Sequence, residues 1–283
     1  ADRDLKNPEG LLATQPVTTF CGAPTVYRML VQEDLARYRF PRLRHCVGAG
    51  EPLNPEVIET WRKATGLVIR DGYGQTETVL LCGNYPSLAP RLGSMGKPAP
   101  GIELAVIDME GRVLPPDTEG DVAVRVQPER PPELFLEYKG DPRRTAASYR
   151  GDWYLTGDRA TVDADGYFWF VGRSDDVILS AGYRIGPFEV ESALIEHPAV
   201  AESAVVSSPD AQRGEVVKAF VVLAPGHEAS EALAVELQEH VKATVAPYKY
   251  PRAVEFVTEL PKTQTGKLQR FELRKKAAEA KKK

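Results

Sequence analysis

The chain has 283 residues, 42% of them hydrophobic, and a formal net charge of −4 at pH 7. This length accommodates about two globular domains, and the near balance of charge argues against a protein that binds nucleic acid. Its three cysteines and four histidines form no CxxC pair and lack metal-ligand spacing, which argues against a structural metal site or a disulfide framework. No apolar run reaches the length of a membrane span.

The first part of the chain alternates strand and helix signals. Apolar or β-branched runs at residues 17–20, 44–47 and 67–70 predict strands. Helices are predicted to begin at Pro24 and Pro55, the second with Asn54 at its N-cap and Gly66 just past its end. This alternation predicts a mostly parallel sheet with helices on its faces.

From about Gly96 the pattern predicts a β-rich subdomain. Short strands are expected at residues 102–107, 122–126, 154–155 and 167–171. Turn clusters separate them at residues 110–111, 115–117 and 163–166. Short strands between such clusters are typical of a small, mostly antiparallel sheet.

The last part of the chain, residues 174–283, predicts a compact α+β domain. Strands are expected at residues 200–206, 216–223 and 254–257. Two helices are expected from their apolar faces, one with Val190, Ala193, Leu194 and His197, the other with Leu233, Leu237 and Val241. We therefore predict a large domain at residues 1–173, divided into an α/β part (1–95) and a β part (96–173), followed by the small domain.

The first segment suited to chemistry is Asp71-Gly72-Tyr73-Gly74-Gln75-Thr76-Glu77, which follows a predicted strand. Its glycines allow close approach of a ligand to the backbone, and α/β sheets bind ligands at the carboxyl ends of parallel strands. The Thr76 hydroxyl suits a phosphate oxygen, and the Glu77 carboxylate suits Mg²⁺. The alternative is an ordinary glycine-rich loop with a helix-capping threonine.

A second candidate is Asp158, which follows the strand predicted at residues 154–155. Its carboxylate can accept hydrogen bonds from both hydroxyls of a ribose. The alternative is a turn aspartate without a ligand.

A third candidate region lies where the β-rich pattern ends, in Gly172-Arg173-Ser174-Asp175-Asp176 and Ser180-Ala181-Gly182-Tyr183-Arg184-Ile185-Gly186-Pro187. A polar junction punctuated by glycine suits a hinge, whose few residues absorb changes in backbone angle. The alternative is a plain interdomain linker.

The fourth candidate is the segment Pro261-Lys262-Thr263-Gln264-Thr265-Gly266-Lys267. A lysine on a small loop can be delivered to a site as a point charge. Negative charge that develops on a carboxylate and a phosphate needs such a cation. The alternative is a basic surface loop.

In their order and spacing these four segments resemble the adenylate-forming (ANL) superfamily of acyl-CoA synthetases, luciferases and peptide-synthetase adenylation domains. The resemblance covers essentially the whole chain. Three further segments look like the medium-chain acyl-CoA synthetases: Ala49-Gly50-Glu51-Pro52-Leu53, Gly93-Ser94-Met95-Gly96-Lys97-Pro98 and Ala246-Pro247-Tyr248-Lys249-Tyr250-Pro251-Arg252. The implied fold is α/β with a β-rich subdomain, plus a small C-terminal α+β domain, as in a truncated acyl-CoA synthetase.

The resemblance also implies roles for individual residues. The implied catalytic residues are Lys267, Thr76 and Glu77, with Glu77 at Mg²⁺, and the implied hinge is Asp175. ATP and AMP binding is implied for Gly50, Glu51, Pro52, Asp71, Gly72, Tyr73, Gly74, Gln75, Thr76, Asp158, Arg173 and Lys267. CoA binding is implied for Ala181, Gly182, Tyr183, Arg184, Arg213, Lys242 and Tyr250.

The implied activity is ATP-dependent ligation of a medium-chain fatty acid to CoA through an acyl-adenylate, in the mitochondrial matrix. The implied co-substrates and ion are ATP, CoA and Mg²⁺. The small domain would turn about Asp175 between the two steps, replacing Lys267 at the site by Arg184 and the CoA tunnel. A carrier-protein-loading domain is disfavoured, because Arg184, Arg213 and Lys242 suit the 3′-phosphate of CoA.

The family's Gly/Ser/Thr-rich phosphate loop ending in lysine is absent from the given sequence. The acidic start, Ala1-Asp2-Arg3-Asp4, is expected to be internal to a longer protein. We therefore expect this chain alone to bind nucleotide weakly and to turn over slowly or not at all, since backbone N–H groups cradle phosphates in such loops. The alternative is a non-catalytic nucleotide- or CoA-binding remnant.

Overall fold

The computed structural model describes residues 8–263 and 267–280. The chain divides into two compact units, Ala1–Phe170 and Val171–Lys283. The domain boundary placed after Arg173, and the division between residues 95 and 96, stay predictions. Each unit is described by itself below.

The first unit begins with a five-stranded sheet in the order β1-β2-β3-β4-β5. Its strands are β1 (Thr19–Gly22), β2 (His45–Ala49), β3 (Ile69–Gln75), β4 (Val79–Gly83) and β5 (Lys97–Pro98). Its helices are α1 (Pro8–Thr14), α2 (Pro24–Leu30) and α3 (Pro55–Thr65). Strands β1, β2 and β3 pair in parallel, whereas β4 and β5 pair antiparallel. The sheet is less parallel than predicted because the chain turns back directly after β3.

Helix α3 shows how the sequence specifies this part of the fold. Pro55 stands in its first turn, where a missing N–H costs nothing. Gly66 ends the helix with a left-handed φ of 75°, and its N–H donates to the Arg62 carbonyl. The predicted start and end are therefore confirmed, although the Asn54 side chain makes no capping hydrogen bond. Its buried face includes Trp61, whose ring packs edge-on against Tyr27.

A second sheet completes the first unit, in the order β10-β9-β7-β6 with β8 paired to β9. Its strands are β6 (Leu104–Ile107), β7 (Gly120–Arg125), β8 (Tyr149–Arg150), β9 (Trp153–Val162) and β10 (Phe168–Arg173), and α4 (Pro142–Ala147) precedes β8. The pairs β6–β7, β7–β9 and β8–β9 are antiparallel, as predicted.

Strand β9 is much longer than the two residues predicted for it. Thr156, Asp158 and Ala160 are buried and alternate with partly exposed residues along it, which is the period of a strand. The prediction that Asp158 follows a strand is therefore wrong, since Asp158 lies within one. Hydrophobic alternation could not show this, because two of the inward positions are polar.

The second unit has a sheet in the order β12-β11-β14-β13, with β15 paired in parallel to β14. Its strands are β11 (Ile178–Ser180), β12 (Tyr183–Ile185), β13 (Val200–Asp210), β14 (Gly214–Leu223) and β15 (Ala253–Phe256). Its helices are α5 (Pro187–Ile195), α6 (Glu231–Thr244) and α7 (Arg270–Ala280). Because α5 ends at Ile195, the placement of His197 on that helix was wrong.

The two faces of this sheet pack against different helices. Val205, Val217, Ala219 and Val221 share a core with residues of α5 and α6. The alternate residues Ala204, Val206 and Phe220 share a second core with Leu273 and Ala277 of α7. The sheet is thus covered on both sides, as its nearly continuous apolar strands require.

The three cysteines differ in accessibility. Cys21 is exposed on β1, whereas Cys46 and Cys82 are buried, and all three are free thiols. Burial raises the pKa of Cys46 to about 11 and that of Cys82 further still. Among the described helices, none combines the length and apolarity that a membrane crossing requires.

Candidate active site

The segment Asp71-Gly72-Tyr73-Gly74-Gln75 forms the end of β3 and is not a loop, so the predicted loop begins later than expected. Thr76, Glu77 and Thr78 form the tight turn into β4. A Cβ atom at Gly74 would lie 1.6 Å from the Val79 carbonyl oxygen. Glycine at this position therefore allows β4 to return directly alongside β3.

Tyr73 and Gln75 hold the Asp158 carboxylate in one orientation. The Tyr73 hydroxyl donates to Asp158 Oδ2 at 2.6 Å, and Gln75 Nε2 donates to the same oxygen at 2.9 Å. Gln75 Nε2 also donates to the Thr156 carbonyl at 2.8 Å. The two donors point the same way because alternate residues of a strand share a face.

The Tyr73 phenol stays a neutral donor. Burial raises its pKa well above the ordinary value, and the negative charge of Asp158 raises it further. Asp158 itself is only 4% exposed. A buried carboxylate with hydrogen-bond donors fixed on one oxygen is preorganised to accept hydroxyl groups.

Asp71 is directed into the fold. It is buried, and its Oδ1 accepts the Gly72 N–H at 3.1 Å. The Leu53 N–H also donates to the carboxyl group, so Asp71 connects β3 to the segment after β2. Burial raises the pKa of Asp71 to about 8, so its side chain is mostly uncharged at neutral pH.

The segment Gly50-Glu51-Pro52 lies at the carboxyl end of β2, whose last residue Ala49 is in register with Gly72 of β3. The structure therefore brings this predicted segment beside the β3 motif. The Glu51 carboxylate forms a 2.8 Å ion pair with Arg28 of α2. This pair orients the Glu51 side chain toward α2.

Glu77 is held by a residue that the sequence did not indicate. The Tyr138 hydroxyl donates to Glu77 Oε1 at 3.0 Å, and the Phe135 N–H donates to the Glu77 carbonyl at 2.7 Å. The Arg144 guanidinium lies 3.8 Å from the centre of the Tyr138 ring. No local pattern around Tyr138 marks it, because the contact joins residues that are 61 positions apart.

The Glu77 carboxylate suits a metal ion that arrives bound to a nucleotide. Among residues 8–263 and 267–280 there is no cluster of three or more His, Cys, Asp or Glu side chains suited to a metal ion. Mg²⁺ is commonly held by one or two carboxylates together with substrate phosphates and water. A single oriented carboxylate therefore meets the requirement for MgATP.

The junction residues lie at the end of β10, in the turn that follows it and on a hairpin. Arg173 Nε lies 3.6 Å from Asp175 Oδ1, and both side chains are largely exposed. Ala181 and Gly182 form the tight turn between β11 and β12, with φ values of 49° and 86°. The Ala181 N–H donates to the Arg213 carbonyl at 3.1 Å, so the structure brings these two predicted residues together.

Aromatic and basic side chains accompany the residues predicted for CoA. The exposed Tyr183 ring stacks on Tyr248, with centroids 4.3 Å apart. Lys242 Nζ lies 4.2 Å from the centre of the Tyr250 ring, and the Arg252 guanidinium lies 4.9 Å from it. The sequence-based assignment omitted Tyr248 and Arg252, although both stand in the segment 246–252 that it singled out.

Arg184 and Lys267 are exposed in the second unit, on β12 and just before α7. The Thr263 N–H donates to the Lys267 carbonyl at 2.8 Å, and the Lys267 N–H donates to Thr263 Oγ1 at 3.1 Å. These bonds close the base of the predicted lysine loop. Its residues Gln264, Thr265 and Gly266 lie outside the described residues.

Comparison with known families identifies the family of the chain. Residues 1–128 match the family of AMP-binding enzymes, and residues 189–267 match the AMP-binding enzyme C-terminal domain. The chain belongs to the AMP-binding enzyme family. The resemblance to the adenylate-forming superfamily and the predicted fold class are thereby confirmed.

Relatives of this chain include mouse acyl-coenzyme A synthetase ACSM3, mitochondrial, which is 63% identical over 267 residues. That alignment covers 94% of this chain and 46% of the mouse protein. Human ACSM5, mitochondrial, is 59% identical over 96% of this chain and 47% of its own length. The chain therefore spans about half the length of the curated relatives it matches.

Solved structures of similar fold carry adenylates or nucleotide. The anthranilate CoA ligase AuaEII in complex with anthranoyl-AMP is 40% identical, with a TM-score of 0.91, covering 100% of this chain and 54% of that one. ATP-bound MatB from Rhodopseudomonas palustris is 30% identical, with a TM-score of 0.85. That alignment covers 96% of this chain and 52% of MatB.

Proposed function

We propose that this chain supplies the ribose-binding carboxylate, the catalytic lysine and the CoA contacts of an AMP-forming acid–thiol ligase. Its substrates are a medium-chain fatty acid, ATP and CoA, and its products are acyl-CoA, AMP and pyrophosphate. The mitochondrial matrix is proposed as its compartment, because the relatives described above are mitochondrial synthetases.

The observation that carries this proposal is the buried Asp158 carboxylate, whose Oδ2 accepts hydrogen bonds from Tyr73 and Gln75. A carboxylate accepts hydrogen bonds and cannot donate them when it is ionised, so it selects ligands that present hydroxyl donors. The paired hydroxyls of a ribose are such donors. Because the two protein donors fix the carboxylate before the ligand arrives, little orientational entropy is lost on binding.

In the first step the fatty acid carboxylate attacks the α-phosphate of ATP, forming acyl-AMP and releasing pyrophosphate. Bound Mg²⁺ would neutralise phosphate charge, and the Glu77 carboxylate, oriented by Tyr138, would hold it. The Thr76 hydroxyl donates to a phosphate oxygen, and the Lys267 ammonium stabilises the negative charge that develops.

In the second step the CoA thiol attacks the acyl carbonyl and AMP leaves. Asp175, exposed in the turn after β10, is the proposed pivot that exchanges Lys267 for Arg184 at the site. Arg213, and Lys242 beside the Tyr250 ring, provide cationic charge for the phosphates of CoA. That charge supports CoA as the acceptor, since pantetheine on a carrier protein has no 3′-phosphate.

The proposal is tested by measuring AMP and octanoyl-CoA formation from octanoate, MgATP and CoA. The chain is compared with a form extended upstream to the length of its relatives, and with Lys267→Ala in that form. We expect the extended form to be active and Lys267→Ala to lose about 10²- to 10³-fold in adenylate formation. Activity of the short chain would show that the upstream part is dispensable.

A matched pair of variants tests the role of Asp158. Asp158→Asn in the extended form is expected to raise the KM for ATP about tenfold. Asp152→Asn makes the same chemical change at a half-exposed aspartate that pairs with Arg125 outside this network, and should leave the KM unchanged. Equal effects of the two variants, or an extended form that makes no adenylate from octanoate, would refute the proposal.

A further inference from the structure

Charges of both signs connect the turn after β10 to the start of α7 within the second unit. Asp176 lies in that turn, next to Asp175, and its side chain is 14% exposed. It forms ion pairs with Arg274 and with Arg270, whose Nε lies 3.9 Å from Asp176 Oδ2. Arg270 Nη2 also donates to Glu191 Oε2 at 2.7 Å. Asp176, Glu191, Arg270 and Arg274 are here called the junction cluster.

The junction cluster is anchored to the sheet through Glu191. The buried Glu191 Oε1 accepts the Val205 N–H of β13 at 2.7 Å, and its backbone carbonyl accepts the Ser203 hydroxyl at 3.1 Å. Two carboxylates and two guanidinium groups balance in charge. Loss of Asp176 removes the ion pair of the partly buried Arg274 and one of the contacts of Arg270, which is unfavourable for charges with limited access to water. The cluster therefore holds the turn at residues 174–176 and the first turn of α7 in fixed positions.

The backbone joins the cluster to Lys267 over a short distance along the chain. Arg270 begins α7 only three positions after Lys267. The Gln269 N–H donates to the Pro261 carbonyl at 2.9 Å, and the Lys267 N–H donates to Thr263 Oγ1 at 3.1 Å. These covalent and hydrogen-bonded contacts provide a route by which a displacement of Arg270 would reach the backbone of Lys267.

We propose that the junction cluster couples the hinge turn, residues 174–176, to the backbone of Lys267, so that the two keep one geometry when the second unit moves. Asp176 and Arg270 are then positioning residues for adenylate formation, which act through Lys267 and touch no substrate. The coupling stands on the contacts above, whereas its catalytic consequence rests on the role proposed for Lys267.

Amide hydrogen exchange of the present chain tests the coupling without a measurement of enzyme activity. In Asp176→Asn, we expect exchange at least about fivefold faster at two sites. One is the Val177 amide in the turn, which donates to Arg173, and the other is the Lys267 amide. Lys276→Met is the matched control, since it removes a different ion pair of α7, to Glu255, and should leave both amides unchanged. Faster exchange at Val177 alone would overturn the coupling.

Half-reactions of the extended form test the catalytic consequence. Asp176→Asn and Arg270→Lys are expected to slow ATP–pyrophosphate exchange about ten- to a hundredfold through misplacement of Lys267. The KM for ATP, and thioester formation from supplied octanoyl-AMP, should stay within about twofold. Equal losses in both half-reactions, or no loss, would overturn the positioning role. An extended wild-type form that makes no adenylate would instead refute the proposed function. The amide hydrogen-exchange experiment would still decide whether the coupling exists.

Discussion

The Tyr73 hydroxyl lies 2.6 Å from Asp158 Oδ2, although the two residues are 85 positions apart and belong to different sheets of the first unit. This hydrogen bond joins the end of β3 to the middle of β9. It places a neutral donor on a buried carboxylate, so the orientation of that carboxylate depends on both sheets.

Tyr73→Phe is expected to lower nucleotide affinity about tenfold, because the loss of one hydrogen bond to a charged group is worth about 1.5 kcal/mol. AMP titration followed by calorimetry in the extended form measures this. Tyr167→Phe is the matched control, since it removes a phenol that donates at 2.7 Å to the Ala89 carbonyl, away from Asp158. An unchanged affinity in Tyr73→Phe would contradict the role of this bond.

Asp71→Asn is expected to change how stability depends on pH. The pKa of Asp71 is about 8 in the folded chain and near the ordinary 3.8 when unfolded. Between these values the folded state binds the extra proton, so the free energy of unfolding falls as pH rises. Asparagine does not titrate. Within that pH window, the free energy of unfolding of the variant should therefore rise relative to that of the wild type by up to about 1.4 kcal/mol per pH unit.

Urea unfolding at pH 5, 6 and 7.5 measures the effect of Asp71→Asn. Asp152→Asn serves as the control, because it makes the same chemical change at a side chain that is more than half exposed. A constant difference between Asp71→Asn and wild type would show that Asp71 is ionised in the folded chain.

Gly74→Ala is expected to destabilise the first unit by about 3 kcal/mol, because the new Cβ would overlap the Val79 carbonyl and force β4 away from β3. Gly83→Ala is the matched control on β4, where the nearest atom to a Cβ belongs to the Tyr85 ring, at an ordinary contact distance of 3.6 Å. Thermal unfolding of both variants measures the difference. Equal melting temperatures would contradict the close approach at Gly74.

Tyr138→Phe is expected to raise the Mg²⁺ concentration needed for half-maximal adenylate formation about tenfold, since groups that orient a metal ligand affect metal affinity on this scale. The variant loses the donor to Glu77 Oε1. Tyr149→Phe is its control, because that phenol accepts from Arg130 and does not contact Glu77. A shift of equal size in both variants would assign the effect to packing.

Local sequence patterns predicted the helices and strands whose position is set by nearby residues, such as helix-capping residues and hydrophobic runs. Proline in the first turn and glycine past the end delimited α3, and apolar runs located β13, β14 and β15, whereas β11 and β12 of the second unit were not predicted. The patterns failed at β9 and at the end of β3, where polar residues occupy strand positions. Hydrophobic periodicity has no signal for a buried carboxylate, whose burial depends on donors elsewhere in the chain.

The residues of the candidate site likewise fall into those that the sequence could predict and those that it could not. Residue types and motif order identified Asp158, Glu77 and Lys267, whose proposed roles stay predictions. The partners that orient them could not be predicted, because Tyr73–Asp158 and Tyr138–Glu77 join residues 85 and 61 positions apart. Such contacts depend on how strands pair between distant segments, and a single sequence contains no local signal for that.

The uneven accessibility of the three thiols makes the chain convenient for spectroscopy. Cys21 is exposed, while Cys46 and Cys82 are buried and hold their protons at neutral pH. A maleimide dye should therefore attach at one position in the first unit without removal of any native cysteine. One cysteine added to an exposed position of the second unit then provides a dye pair, and energy transfer between the two reports domain motion in single molecules.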